Sequence, residues 1–382
     1  MKTRRDFMKA AVAGGIAGIV ASRKPPAFAQ ERGMVKIGQL GIGTHGFLRT
    51  FVTPPGGFRE KVRCRPYAVW DDVPGVAEAM MDMGFEKVID DPVELVRVCD
   101  AVHVEHADYR RVLDLTRPAL EAGKPVFINR PFAASIADAE EIVRLAETHD
   151  APLMCASSLE FQPEIAEMQR FSREKGPVRS YEAYCPEPVF TWMFPHVFNY
   201  AHAGLGGGIE SAYFTGDFIM DPGKWVHIKE AMTGTLDLID FPEGHVIDYT
   251  RGEGKARPIG TALAVLTYKS RDGQPPVIGM NHIGEYPANY HITVYAMGGS
   301  RTFSAGKDLF NYMFMTLHDF YTRRRVPRPY EAILEQHRAL VATNVSRLTG
   351  RSVRLDSLGG DDALPYSEAM RNWIVRNRLN MK

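Results

Sequence analysis

An apolar run, residues 35–40, passes without a break into Gly41-Ile42-Gly43-Thr44-His45-Gly46, and a helical pattern continues through Phe51. A glycine motif alone is a weak signal. Preceded by a strand and followed by a helix, it restricts the chain to folds in which a tight turn brings backbone N–H groups and a helix N-terminus up to a pyrophosphate. Gly41, Ile42, Gly43, Thr44, His45 and Gly46 are therefore expected to contact a cofactor. A second strand, residues 65–70, ends at Asp71-Asp72, about 25 residues past the last glycine, close to where a carboxylate would meet the adenosine ribose hydroxyls. Asp71 is the expected ribose ligand; a cap on the turn before Pro74 is the alternative.

Strand and helix go on alternating. Residues 101–105 and 125–128 read as buried strands, with His106 and Asn129 just past them completing the expected cofactor set. The helix expected at 111–122 contains Pro118, which should kink or restart it, and Gly123 should stop it. Ser135 starts another helix, with Ala139, Ile142, Val143 and Ala146 on one face, and residues 152–156 form a further strand. Such repeats predict an α/β chain whose N-terminal half is a doubly wound parallel Rossmann sheet with its ligand at the strands' carboxyl ends. Past residue 156 the texture changes. Long alternating segments at 178–185, 261–270, 277–283 and 290–297, then helices at 309–321 and 330–348, predict an α+β half with a large, open, mostly antiparallel sheet. The expected divisions are 1–29, 34–156 for dinucleotide binding, and 157–382 for substrate and oligomer contacts.

Segment 1–29 has Arg4-Arg5 followed by Phe7, Met8 and Lys9, a short small-residue run, and Ala27-Phe28-Ala29 as a cleavage pattern. It is similar to a twin-arginine export signal and too short to span a membrane stably. The expectation is a periplasmic or extracytoplasmic protein, handled folded by the twin-arginine machinery. With 46 basic and 46 acidic residues in balance, neither nucleic acid nor an anionic surface is an expected partner. Cys64, Cys99, Cys155 and Cys185 are scattered without a C-x-x-C pair, and no histidine spacing suggests a metal.

The order of the glycine motif, the acidic strand end, D-A-V-x-V, P-A-L-E-A-G-K-P-V-F-I-N-R-P-F-A and A-E-E-I-V-R-L-A-E resembles the glucose-fructose oxidoreductase and inositol dehydrogenase family, Gfo/Idh/MocA. The resemblance continues through Gly206-Gly207-Gly208-Ile209-Glu210-Ser211 to Gly350-Arg351-Ser352-Val353-Arg354-Leu355. It implies a nicotinamide dinucleotide, NAD rather than NADP given Asp71, a sugar- or cyclitol-like substrate, and a homo-oligomer. The departures are specific. Where the family carries Glu-Lys-Pro, this chain has Asn129-Arg130-Pro131, and an arginine can clamp an oxygen but not act as a base. His196 stands where the family places its catalytic histidine, with Trp192 where an aspartate is expected four residues earlier. His196 and Arg130 are thus the candidate catalytic pair, His196 as proton acceptor, a satisfied core histidine being the alternative. Trp192 and Tyr184 are the candidate sugar-facing aromatics. Glu160, where the family often has arginine, suggests an inverted pocket charge, and His282, Tyr286 and His291 could face the pocket or pack. Three functions fit: hydride exchange between bound NAD and a sugar-like substrate, a redox-neutral NAD-dependent glycosidase or eliminase, and a sugar-binding protein with a decayed site.

Overall fold

The computed structural model describes residues 33–41, 48–52, 54, 61–186, 190–216, 226–227, 256–257, 261–270, 273–284, 290–306, 309–368, 371–372 and 375. The export segment and Ile42, Gly43, Thr44, His45 and Gly46 lie outside the described residues, as does Tyr286.

Strands β1 (Val35–Leu40), β2 (Cys64–Trp70), β3 (Lys87–Val88), β4 (Ala101–Val104), β5 (Val126–Ile128) and β6 (Leu153–Met154) form a parallel sheet in the order β3-β2-β1-β4-β5-β6. The order reverses direction between β1 and β4, which makes that point the natural ligand crevice. Between the strands run α1 (Arg49–Val52), α2 (Val76–Ala79), α3 (Pro92–Val98), α4 (Val112–Glu121) and α5 (Ile136–Thr148). Local chemistry sets their ends. Asp91 accepts from Val93 N ahead of Pro92, Ser135 accepts from Asp138 N, and Gly123 follows α4 at φ 65°. Against expectation, α4 runs through Pro118 without a break. The missing N–H costs one bond to the carbonyl of Asp114, which lies on the helix's exposed side where water can replace it.

Both faces of this sheet are buried. Leu40, Val102 and Val104 pack with Leu95, Leu115 and Ile142 of α3 to α5, so truncating Ile142 to alanine should cost about 2–5 kcal/mol. Ile37, Val69, Ala101 and Phe127 pack on the other face with Phe314, Leu317 and Phe320 of a helix from the last third of the chain, α8 below.

The later half contributes α6 (Pro163–Lys175), β7 (Val178–Pro186), α7 (Phe190–Leu205), β8 (Ile209–Gly216), a small pair β9 (Val226–His227) and β10 (Ala256–Arg257), then β11 (Thr261–Tyr268), β12 (Ile278–Gly284), β13 (His291–Ala296), β14 (Gly299–Ser304), α8 (Leu309–Arg323), α9 (Tyr330–Thr349) and β15 (Val353–Arg354). Its seven-stranded sheet has the order β14-β13-β7-β12-β11-β8-β15, antiparallel except for the β12–β7 pair. The period of two along β7 sorts its side chains. Tyr181, Ala183 and Cys185 are fully buried on the side covered by α7, where Cys185 Sγ meets Met193 Sδ at 3.4 Å, while Glu182 and Tyr184 point to the other side. The two sheets are not independent. Ile136 N and Ala137 N donate to Asp362 O and Gly360 O, and Leu364 N donates to Ala134 O, so the C-terminal segment returns to the start of α5.

Candidate active site

The carboxyl ends of the first sheet's central strands place the site residues in one row. Gly41 ends β1 at φ 75°, its N–H donating to Trp70 O at 2.7 Å across to β2. A β-carbon there would lie 2.6 Å from the Cα of His106, so only glycine permits this approach of the β1 and β4 ends. A cradle that a side chain would fill, at the strand-order reversal and beside a carboxylate pair, fits a dinucleotide; NAD would be held by Gly41, by the β2 end and by the loops after β4 and β5.

At the β2 end, Asp71 Oδ1 accepts from Val73 N at 2.8 Å, which gives it the capping role foreseen as the alternative. Asp72 is the more engaged carboxylate. It pairs with His106 Nε2 at 3.1 Å and with Arg111 Nη1, and Arg371 lies 3.9 Å away. The hydrogen bond from His106, reinforced by Arg111, holds the Asp72 carboxyl well below the usual carboxylate range. Trp70 lies beneath, stacked with His106 at 6.1 Å, with the Arg111 guanidinium 5.3 Å from its ring. Asp71, Asp72 and His106 bring ligand atoms within 4.8 Å of one another, a cluster that sequence spacing conceals, but two arginines already answer its negative charge.

At the β5 end, Asn129 is an internal clamp. Its Oδ1 accepts from Arg130 N at 3.0 Å and from Arg130 Nη1 at 3.1 Å, fixing the guanidinium. Arg130 Nε donates to the backbone carbonyl of Trp192 in α7 at 3.1 Å, tying the first sheet to the helix that carries His196. Burial lowers the Arg130 pKa, with Tyr290 and Glu105 acting in the opposite sense, so a full positive charge is still kept there. Glu105 follows β4 and is 5% exposed; its Oε2 lies 3.7 Å from Nε2 of the fully buried His103, whose Nδ1 is 3.1 Å from Tyr321 Oη.

His196 is 5% exposed and its ring centroid is 5.3 Å from that of Tyr290. Its Nδ1 is 2.5 Å from Oγ of the fully buried Ser157. Ser157 caps the short turn Ser158–Phe161, accepting from Leu159 N, while Glu160 Oε1 accepts from Ser157 N at 2.7 Å. Glu160 therefore does not invert a pocket charge: Arg328 lies 2.9 Å from its Oε2, also bonding Gln336 Oε1 and the Cys155 carbonyl. Burial raises the Glu160 pKa and Arg328 opposes it.

Asn129 and Arg130 are thus joined to Trp192 of the helix that also carries His196, and Tyr184 lies apart from them. Strand alternation turns Tyr184 to the side of the second sheet away from α7, stacked between His282 at 4.4 Å and His291 at 4.6 Å, its hydroxyl on Glu182. The expected substrate role for Tyr184 is corrected accordingly, and His282 and His291 belong to the same outward row. Sequence reasoning missed Ser157 and Glu105. Ser157 carried a signal, since Ser-x-x-Glu is a capping box; Glu105 carried none beyond ending a strand. All four cysteines are buried and outside any disulfide, and burial pushes Cys64, Cys99 and Cys155 up to about 12, leaving those three inert.

Residues 42–157 match the Gfo/Idh/MocA model, an oxidoreductase family with an NAD-binding Rossmann fold. The first sheet is of that NAD-binding kind. An uncharacterized protein of Saccharomyces cerevisiae is 30% identical over 118 residues, covering 28% of this chain and 34% of its own length, so the chain spans about a third of the curated relative it matches. Among solved structures, a probable dehydrogenase from Thermotoga maritima is similar with TM-score 0.62 and 17% identity, over 85% of this chain and 100% of that one. The scyllo-inositol dehydrogenase of Lactobacillus casei, solved with NAD(H) and scyllo-inositol, gives 0.62 and 14% over 85% and 100%. The myo-inositol dehydrogenase of the same organism, solved with NAD(H) and myo-inositol, gives 0.62 and 16% over 85% and 98%. At these identities the likeness is one of fold, and it extends across both sheets.

Proposed function

We propose that this chain is an exported oxidoreductase of the Gfo/Idh/MocA family that keeps NAD bound and exchanges hydride with a sugar- or cyclitol-like substrate. One observation carries the reading: Arg130, at the carboxyl end of β5, is locked by Asn129 and reaches the Trp192 carbonyl in the helix that bears His196. That bond ties a fixed cation to the helix that carries the histidine, which supports assigning both to the side of the dinucleotide crevice. The ligands named for the Lactobacillus casei neighbours support a polyhydroxylated substrate. Asp71 would take the adenosine ribose, with His106 and Gly41 bordering the same crevice, and the carboxylate disfavours the extra phosphate of NADP. Bound NAD would supply the hydride acceptor or donor. The chain's own groups would do the remainder: Arg130 holds the reacting oxygen, His196 bonds it, and Trp192 offers a flat apolar wall.

Denaturing the purified mature protein and analysing the supernatant by absorbance and mass tests this directly. Released NAD is the expected result; no dinucleotide, and none bound on titration, would leave the sugar-binding reading. Export by the twin-arginine route predicts that replacing Arg4 and Arg5 by lysine holds the precursor in the cytoplasm, and mature protein still appearing outside would end that part of the proposal. The outward row of the second sheet is the proposed contact between copies, read by the native mass in solution.

A further inference from the structure

The geometry points to Ser157 as a positioning residue that decides which nitrogen of His196 carries the proton, and hence to a carbonyl-type oxygen as the group this pocket receives. The inference rests on the reading above that His196 contacts substrate. The Ser157 side chain is fully buried and its surroundings are specified. Its Oγ accepts the Leu159 N–H at 3.2 Å, and its backbone N–H is fixed on Glu160 Oε1. A serine hydroxyl has one proton to give. Among the described residues the acceptor in reach is His196 Nδ1, at 2.5 Å.

With the proton of Ser157 directed at Nδ1, that nitrogen is the acceptor, and the neutral imidazole carries its own proton on Nε2. The opposite assignment, Nδ1–H donating to Oγ, would leave a buried hydroxyl proton without an acceptor among the described residues, which is the costly arrangement. Glu160 cannot reverse the preference, because its carboxylate is committed to the Ser157 backbone N–H and to Arg328. Among the described residues, other ionisable groups near His196 include Arg130, bonded one turn earlier on the helix, and Tyr290. Further along α7, His202 pairs with Glu335 of α9 at 3.2 Å.

The consequence is a revision of the role expected for His196. A neutral ring with its proton on Nε2 donates to the substrate and does not accept from it. Arg130 likewise only donates. Two donors, in place of the base expected at His196, suit an oxygen that arrives without a proton: the carbonyl of a keto or aldehydo sugar, in preference to the corresponding alcohol.

The test uses the full mature chain labelled with 15N-histidine, with long-range 1H–15N correlation to read the tautomer and a His196→Gln variant to assign the signals. Wild-type protein is expected to show the Nε2–H form of His196. In Ser157→Ala the pH midpoint of its titration should move up by roughly half to one unit, because a donor that favours the neutral ring has been removed. Ser157→Thr, which keeps the hydroxyl, should retain the wild-type midpoint. An Nδ1–H wild-type tautomer overturns the inference even if Ser157→Ala fails to fold. So does a midpoint that falls or stays put in Ser157→Ala. Absence of released NAD would instead defeat the functional reading, with the tautomer result unaffected.

Discussion

At the β2 end of the crevice, Asp72 meets Arg111 and His106 with 26% of its side chain exposed and 37% of Arg111 exposed. At the β5 end, Arg130 is 7% exposed, and its guanidinium bonds two neutral oxygens, Asn129 Oδ1 and the Trp192 carbonyl. The exposed end thus holds its carboxylate through direct ion pairs, while at the buried end fixed dipoles orient the cation and Glu105 adds charge. Exposed pairs contribute little and rearrange readily, which suits the rim of a crevice whose proposed ribose ligand is the neighbouring Asp71. A buried cation held by preorganised acceptors resists movement, and a site that stabilises developing charge requires that.

The contrast can be broken most sharply at Arg130. Arg130→Lys keeps the charge but loses the fork shared between Asn129 and Trp192, so turnover should fall by about 10²- to 10³-fold with NAD content unchanged. Activity near wild type would mean that this end is not the catalytic one. His196→Ala should cost about 10²-fold in kcat, again with the cofactor retained. At the other end the effects should be smaller and of another kind. Asp71→Ala is expected to weaken NAD binding by about tenfold and narrow the preference over NADP, read by titration of stripped protein. Asp72→Asn sharpens the comparison through stability. Because the folded-state pKa of Asp72 is depressed, its stabilisation is complete above the unfolded carboxylate value of about 3.9 and is lost as pH falls through it toward the folded value. The variant should therefore be modestly less stable than wild type at neutral pH, with a shallower acid limb in denaturant unfolding below about pH 4, where the two converge.

The same contrast explains what could be read from the sequence. Strands β1, β2, β4, β5 and β6 were legible because a parallel sheet covered on both faces imposes apolar runs, the two-residue β3 was too short to leave such a run, and Gly41 was legible because its backbone excludes other residues. Arg130 and His196 stood out by their positions in a family-like order. What stayed hidden depends on contacts between residues distant in sequence. Ser157 reaches His196 across 39 positions, and Arg328 reaches the Cys155 carbonyl across 173. Tyr184 failed for a simpler reason: an aromatic in an alternating strand has two possible faces, and only the packing of α7 against the other side reveals which one it takes. Pro118 misled because a helix tolerates the residue when the orphaned carbonyl faces solvent.

The Glu160–Arg328 pair sets an order on the making of this protein. Glu160 and Ser157 emerge from the ribosome early, but the guanidinium that neutralises Glu160 arrives only with the segment between α8 and α9, 168 residues later in the chain. Until then the turn holding Ser157 would bury a carboxylate with no counter-charge, and α8 would be missing from one face of the first sheet. A nascent chain halted at residue 300 should accordingly expose apolar surface and leave the Ser157 turn open to protease, whereas one extended past residue 350 should resist. The dinucleotide-binding half, though translated first, becomes competent only when the last third of the chain has closed over it.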